Sequence, residues 1–246
     1  MTFLRSLLFN LAFYGLTTIL AFLLLPLIVT PRSAQAAGRF WGWLTHKLLF
    51  IAGLSHQNDG DSLRSSQVIY AVKHQSAWET LILYWQLGAP VVVLKKELMM
   101  IPILGWFFAQ AGCIALDRGA GMAALRQLRA QADIARRSGR SILIFPQGTR
   151  VAPGTSRPYQ IGVFALYEQT GLAVLPVALN SGQFWGRRGF TKKPGRICVS
   201  YLPVIATGFK RKEFMKNLEI AIETRNAELE AAPLHPHIKR TGGIGR

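Results

Sequence analysis

The stretch Val68-Ile-Tyr-Ala-Val-Lys-His-Gln-Ser-Ala-Trp-Glu79 decides the fold. Five apolar residues of buried-strand length run directly into a polar segment, which leads into a helical run. Strand, polar loop and helix form the unit of an α/β domain, and such a loop is the usual address of its active site. Working outward, Val91-Val-Val-Leu94, Cys113-Ile-Ala-Leu116, Ser141–Phe145 and Ala173–Leu179 are further compact apolar runs, and Ile197–Tyr201 is a candidate last strand. Between and after them, Met122–Arg137 repeats Ala and Leu at three- and four-residue spacing and ends near Gly139, a C-terminal cap. Glu213–Leu229 reads as a second amphipathic helix. The pattern predicts an α/β domain with a central, mostly parallel sheet flanked by helices.

The chain has 246 residues, 29 Lys+Arg against 12 Asp+Glu, and a formal net charge of +17. That length suits one sizeable domain. With half its residues hydrophobic and a mean hydropathy of +0.23, the chain is not intrinsically disordered. Two cysteines, Cys113 and Cys198, are too few for a disulfide framework or a thiolate zinc site. Strong positive charge calls for an anionic partner. Its combination with high apolar content favours anionic membrane lipid over nucleic acid, for which no recognisable module is present.

Between Arg5 and Arg32 there is no charge. Ser6–Thr30, if helical, reaches ~37 Å, enough to cross a bilayer core. A cleaved signal peptide is the alternative, with Ser33-Ala-Gln-Ala-Ala37 as its small-residue site, although its apolar region would normally run only ~7–15 residues. After a break at Pro31-Arg32, Arg39–Leu54 suits a helix lying in the headgroup region. Spanning by residues 6–30 and a half-inserted hairpin with residues 38–54 both fit. Arg32, Arg39 and Lys47 place the chain beyond Thr30 on the cytoplasmic side of the cell (inner) membrane. The expected organisation is a membrane anchor over 1–54, a catalytic domain over 55–232 and a basic, frayed tail over 233–246.

His74 and Glu79, five residues apart, would lie ~140° out of phase on one helix. With His74 on the loop and Glu79 in the first helical turn, the carboxylate can fold back to the imidazole, fix its tautomer and stabilise the imidazolium. A surface His beside an unrelated first-turn Glu is the plainer alternative. There is no GxSxG elbow for Ser76, and Cys113 reads as core packing. No HxxxH or HExxH spacing suggests a metal. A His–carboxylate pair without a protein nucleophile points to general-base activation of a substrate hydroxyl. Phe145-Pro-Gln-Gly-Thr-Arg150 also follows a strand: Gly148 allows close backbone approach, Thr149 offers a hydroxyl and Arg150 can clamp a phosphate. An ordinary Pro-Gly turn with a solvated Arg would look the same. Lys95 and Arg118 stand at equivalent strand ends, so the three cations would converge into an anion site on one edge of a parallel sheet.

In this order the segments resemble the glycerolipid acyltransferase family, specifically the bacterial 1-acyl-sn-glycerol-3-phosphate acyltransferases. His74-Gln-Ser-Ala-Trp-Glu79 looks like the first block of that family and Lys95–Trp106, leading to Gly112–Arg118, like the next. Phe145–Arg150 looks like the third, and Val174-Leu-Pro-Val-Ala178 like the fourth. The resemblance implies transfer of a fatty acyl group from acyl-acyl carrier protein or acyl-coenzyme A to the sn-2 hydroxyl of lysophosphatidic acid. In that reading His74 and Glu79 are catalytic, and Lys95, Arg118, Gln147, Gly148, Thr149 and Arg150 bind the acceptor. An apolar groove lined from Ile101–Phe108 takes acyl chains, and no metal or cofactor is needed. The family usually has Asp at the position of Glu79 and Glu at that of Gln147, and its usual polar residue is replaced by Val151. A neutral amide at 147 bears on acceptor choice, which keeps another lysolipid, such as a lyso-ornithine lipid, as a rival acceptor; a noncatalytic membrane-binding protein is a more distant rival. The cluster Arg187, Arg188, Lys192, Lys193 and Arg196 is solvated surface, an anionic-membrane contact or a dock for acyl carrier protein.

Overall fold

The structure, a computed structural model, describes residues 1–233; the expected tail beyond Pro233 lies outside the described residues. Seven strands form one sheet in the order β1-β7-β6-β2-β5-β3-β4. They are β1 Leu54–Asp59, β2 Ile69–Val72, β3 Val91–Lys95, β4 Ile114–Leu116, β5 Ile142–Ile144, β6 Val174–Leu179 and β7 Gly195–Tyr201. From β6 to β4 every pairing is parallel. β7 runs antiparallel to β6, and β1 runs parallel to β7.

Side chains alternate across the sheet, as the two-residue strand period requires. In β2, Tyr70 and Val72 join a core beneath α1 (Thr2–Leu23), α2 (Pro31–Leu48) and α3 (Trp78–Gln86), with Phe9, Leu49, Trp78 and Leu83. Ile69 and Ala71 face the other way, into a core with α5 (Gly121–Arg137), α6 (Gly162–Thr170) and α7 (Arg211–Ala231). A short α4, Leu104–Gln110, leads into β4. On α5 the buried residues are Ala124, Leu128, Ala132 and Ala135, one stripe at helical spacing, and Gly139 beyond it adopts φ +70°.

Two stretches depart from the sequence reading. Leu54–Asp59 is an edge strand, not the end of a helix; Leu54 is its one buried residue, so it lacks the apolar run that marks an interior strand. Pro31 starts a helix rather than breaking one. It occupies the first turn of α2, where its missing N–H costs nothing, and Thr30 and Ser33 form a reciprocal capping box. The helix expected over 39–54 therefore spans Pro31–Leu48.

α1 and α2 fold into a hairpin against the body. Gly42 lets α2 press on α3: a Cβ there would stand 2.7 Å from the Leu81 carbonyl. The base of α1 is tied to the loop before β7. Ser6 Oγ accepts from the Lys192 N–H at 2.9 Å, and Lys192 Nζ donates to Asn10 Oδ1 at 2.6 Å and to the Gly189 and Phe190 carbonyls. Phe9 and Trp185 flank the ammonium. Lys192 is thus buried, which none of the three readings of its basic cluster anticipated, and burial pulls its pKa down to about 8.

Candidate active site

The strand order places β2, β5, β3 and β4 side by side with their C-terminal ends on one edge. His74, Arg150, Lys95 and Arg118 follow or end those strands, on that shared edge of the sheet.

His74 leaves β2 on a two-residue lead and its ring stacks on Phe145 at 3.9 Å between centroids. Glu79 lies in the first turn of α3 and folds back, as the spacing requires. Its Oε1 accepts from the Gln75 and Ser76 N–H groups at 2.7 and 2.6 Å and from His74 Nδ1 at 2.9 Å. Ser181, just beyond β6, donates its hydroxyl to Oε2 at 2.8 Å. A fully buried carboxylate needs such donors to remain charged. With Nδ1–H given to Glu79, the tautomer leaves the lone pair on Nε2, and Nε2 has no protein partner among the described residues. Ser76 is buried, and its hydroxyl accepts from the Trp78 N–H; it caps the turn and is no nucleophile.

Behind His74 lies a second polar network. The His74 N–H donates to Gln147 Oε1 at 3.0 Å, and Gln147 Nε2 donates to Glu223 Oε1 at 3.2 Å. Tyr159 donates its hydroxyl to the same oxygen at 2.7 Å, and Lys73 Nζ meets Glu223 Oε2 at 2.5 Å. Gln147 is buried with both ends of its amide committed, so its side chain points into the protein rather than toward an acceptor. In the Lys73–Glu223 pair the lysine is buried and the glutamate partly exposed, so loss of Glu223 would leave a buried ammonium without its carboxylate.

The cations in front are held more loosely. Neither Arg150 nor Arg118 makes a hydrogen bond or ion pair among the described residues. Arg118 Nε lies 3.9 Å from where a Gly148 Cβ would stand, and Gly148 takes φ +68°, a conformation that favours glycine. Burial lowers the Arg118 pKa, Glu97 works against that and Arg157 adds to it. Lys95 turns to Glu97 at 2.7 Å. Thr149, between Gly148 and Arg150, is partly buried.

A cavity of about 370 Å³ opens beside this loop, walled by the α1–α2 hairpin, α3 and α4. Leu104, Phe107 and Phe108 contribute, as expected, but most of the wall comes from the hairpin and α3. Arg150 is the only charged residue among the described residues that line it, and Ala77 and Thr80 bring it alongside the His74–Glu79 turn. Cys113 lines it too, and burial pushes its thiol up to about 11, which keeps it protonated and unreactive. Among the described residues no three His, Cys, Asp or Glu gather as a metal site.

Sequence reading missed Ser181, Lys73, Tyr159 and Glu223. A polar residue at the end of β6 was a usable signal for Ser181; Glu223 had none, lying on a helix far along the chain.

Residues 54–180 match the acyltransferase family model. A 1-acyl-sn-glycerol-3-phosphate acyltransferase of Pseudomonas aeruginosa is 38% identical over 168 residues, taking in 68% of this chain and 64% of that protein. One from Saccharomyces cerevisiae is 30% identical over 194 residues, 73% of this chain and 60% of its own. In both, the chain spans under two thirds of the relative's length. The crystal structure of the 1-acyl-sn-glycerophosphate acyltransferase PlsC from Thermotoga maritima shares the fold, with a TM-score of 0.76 at 22% identity, over 95% of this chain and 99% of that one.

Proposed function

The chain belongs to the acyltransferase family, and from that premise we propose that it acylates the sn-2 hydroxyl of a 1-acyl-sn-glycerol-3-phosphate, making phosphatidic acid. The acyl group comes from a thioester on acyl carrier protein or coenzyme A. The observation that carries this reading is the His74 Nδ1–Glu79 Oε1 contact of 2.9 Å, with Nε2 open, beside an apolar cavity edged by Arg150.

Nε2 removes the proton of the acceptor hydroxyl as its oxygen attacks the thioester carbonyl. The C–O bond forms, the C–S bond breaks, and the imidazolium returns the proton to the departing thiolate. Glu79 faces Nδ1–H throughout and stabilises the imidazolium. Arg150 and Arg118, neither held in a hydrogen bond or ion pair among the described residues, hold the acceptor phosphate, with Lys95 added from the next strand end; the backbone of Gly148 and Thr149 lets the headgroup come close. Gln147 belongs to the supporting network. Positioning supplies most of the rate, and a proton transfer with an acyl shift calls on no organic cofactor. The cavity takes an acyl chain.

The hairpin holds the enzyme on the membrane. Phe13 is still packed on Trp185; beyond it α1 runs on to Leu23, ~15 Å of helix against a hydrocarbon core of ~30 Å. α2 then returns with Arg32, Arg39 and Lys47, so the hairpin dips into one leaflet, the cytoplasmic one by the positive-inside rule. Phe22→Glu with Leu23→Glu, both exposed, should move the protein from vesicle pellet to supernatant; unchanged pelleting overturns the insertion.

The deciding assay incubates wild type and His74→Ala with acyl-acyl carrier protein or acyl-coenzyme A, and offers lysophosphatidic acid beside lyso-ornithine lipid. Phosphatidic acid from the wild type, reduced about 10²–10⁴-fold in the variant, is the expected result. Product only from lyso-ornithine lipid would keep the mechanism and change the acceptor. Product from neither would leave a membrane-binding protein.

A further inference from the structure

His74 sits between two residues whose side chains both end on α7. Lys73, 1% exposed, reaches Glu223. Gln75 donates to Glu230, which also accepts from the Gly154 N–H at 2.7 Å. Seven residues separate the two glutamates, two turns of helix, so they share one face. Between these grips the His74 N–H itself is taken by Gln147, whose other end rests on Glu223. The Val151 N–H closes the arrangement on the His74 carbonyl at 2.8 Å. Glu79 orients the imidazole, but the backbone from which that imidazole hangs is fixed from α7. This helix lies wholly beyond residues 54–180.

We infer that Glu223 is a positioning residue for His74: through Lys73 and Gln147 its one carboxylate holds the loop at the geometry in which Nδ1 meets Glu79. The network contains one buried cation, Lys73, and one partly exposed carboxylate, Glu223, with an amide and a phenol hydroxyl supplying the remaining bonds. Its charge closes, and that closure fixes the register of the loop. Glu223 touches no substrate atom in this scheme. Its loss therefore lowers turnover and leaves acceptor binding, which rests on Arg150 and Arg118, nearly as it was.

The inference rests on the reading of His74 as the base, so wild type and His74→Ala run alongside: an inactive wild type defeats that reading, and only an active one tests Glu223. With an active wild type, Glu223→Gln should lose tenfold or more in kcat while the acceptor KM stays within about threefold. Gln147 and Glu223 face each other, so exchanging them keeps one amide and one carboxylate in the network. The double variant Gln147→Glu/Glu223→Gln should recover kcat to within about fivefold of wild type. A residue of merely structural importance would give thermal destabilisation in Glu223→Gln without that rescue. Wild-type kcat in folded Glu223→Gln overturns the inference, as does a folded double variant no faster than the single one. If Glu223→Gln does not fold, the double variant decides alone: turnover near wild type supports the inference, and turnover below a tenth overturns it.

Discussion

The two sides of His74 are built on opposite principles. Behind the ring the functional polar groups are held by fixed protein partners: Glu79 has four donors, and Lys73, Gln147 and Tyr159 converge on Glu223. In front, the Nε2 lone pair and the Arg150 and Arg118 guanidinium groups have no hydrogen-bonding protein partner among the described residues, and of the three residues Arg150 lines the cavity. In the proposed function the substrate completes this site: a hydroxyl for Nε2 and an anion for the two arginines. Damage to the rear should therefore appear in kcat and damage to the front in KM.

The largest effect expected is from Glu79→Gln. An amide there can keep its oxygen on the Gln75 and Ser76 N–H groups but, being neutral, cannot stabilise the imidazolium, so kcat should fall on the order of 10³-fold with acceptor KM little changed. A rise in KM alone would collapse the distinction between the two sides. Next comes Arg150→Ala, which removes a charge-assisted contact of about 1.5–3 kcal/mol and should raise acceptor KM about ten- to hundredfold. Unaltered acceptor kinetics would take Arg150 out of the front. The smallest is Ser181→Ala. It removes one of the four donors to Glu79, about 1 kcal/mol, and should lower kcat about fivefold or less with no change in KM; a KM effect there would blur the boundary that Glu79 and Arg150 define.

The sequence made one side of this comparison far more readable than the other. Val68–Glu79 announces strand, loop and turn, and a carboxylate five residues from a histidine can only meet it by folding back, as Glu79 does. The cations were legible because strand ends in a parallel sheet share an edge. Apart from Glu79 the rear was not, since its bonds are long-range: Lys73 and Glu223 are 150 residues apart, and nothing local on an amphipathic helix marks one glutamate among several. Gln147 was misplaced for a geometric reason. The Phe145 carbonyl accepts from the Gly148 N–H, a tight turn that swings residue 147 inward while leaving Gly148 to face out. In the fold, Leu54–Asp59 escaped notice because an edge strand exposed over most of its length carries no apolar run.

The seat of α1 has a consequence for how the chain is made. Asn10 and Lys192, which hold it together, are separated by 182 residues. At roughly 5–20 residues per second of synthesis, the apolar helix waits on the order of 10–40 s before the loop that receives it exists. Throughout that interval a bilayer or a chaperone is its available cover. A ribosome translating this chain thus delivers its greasiest segment long before its socket.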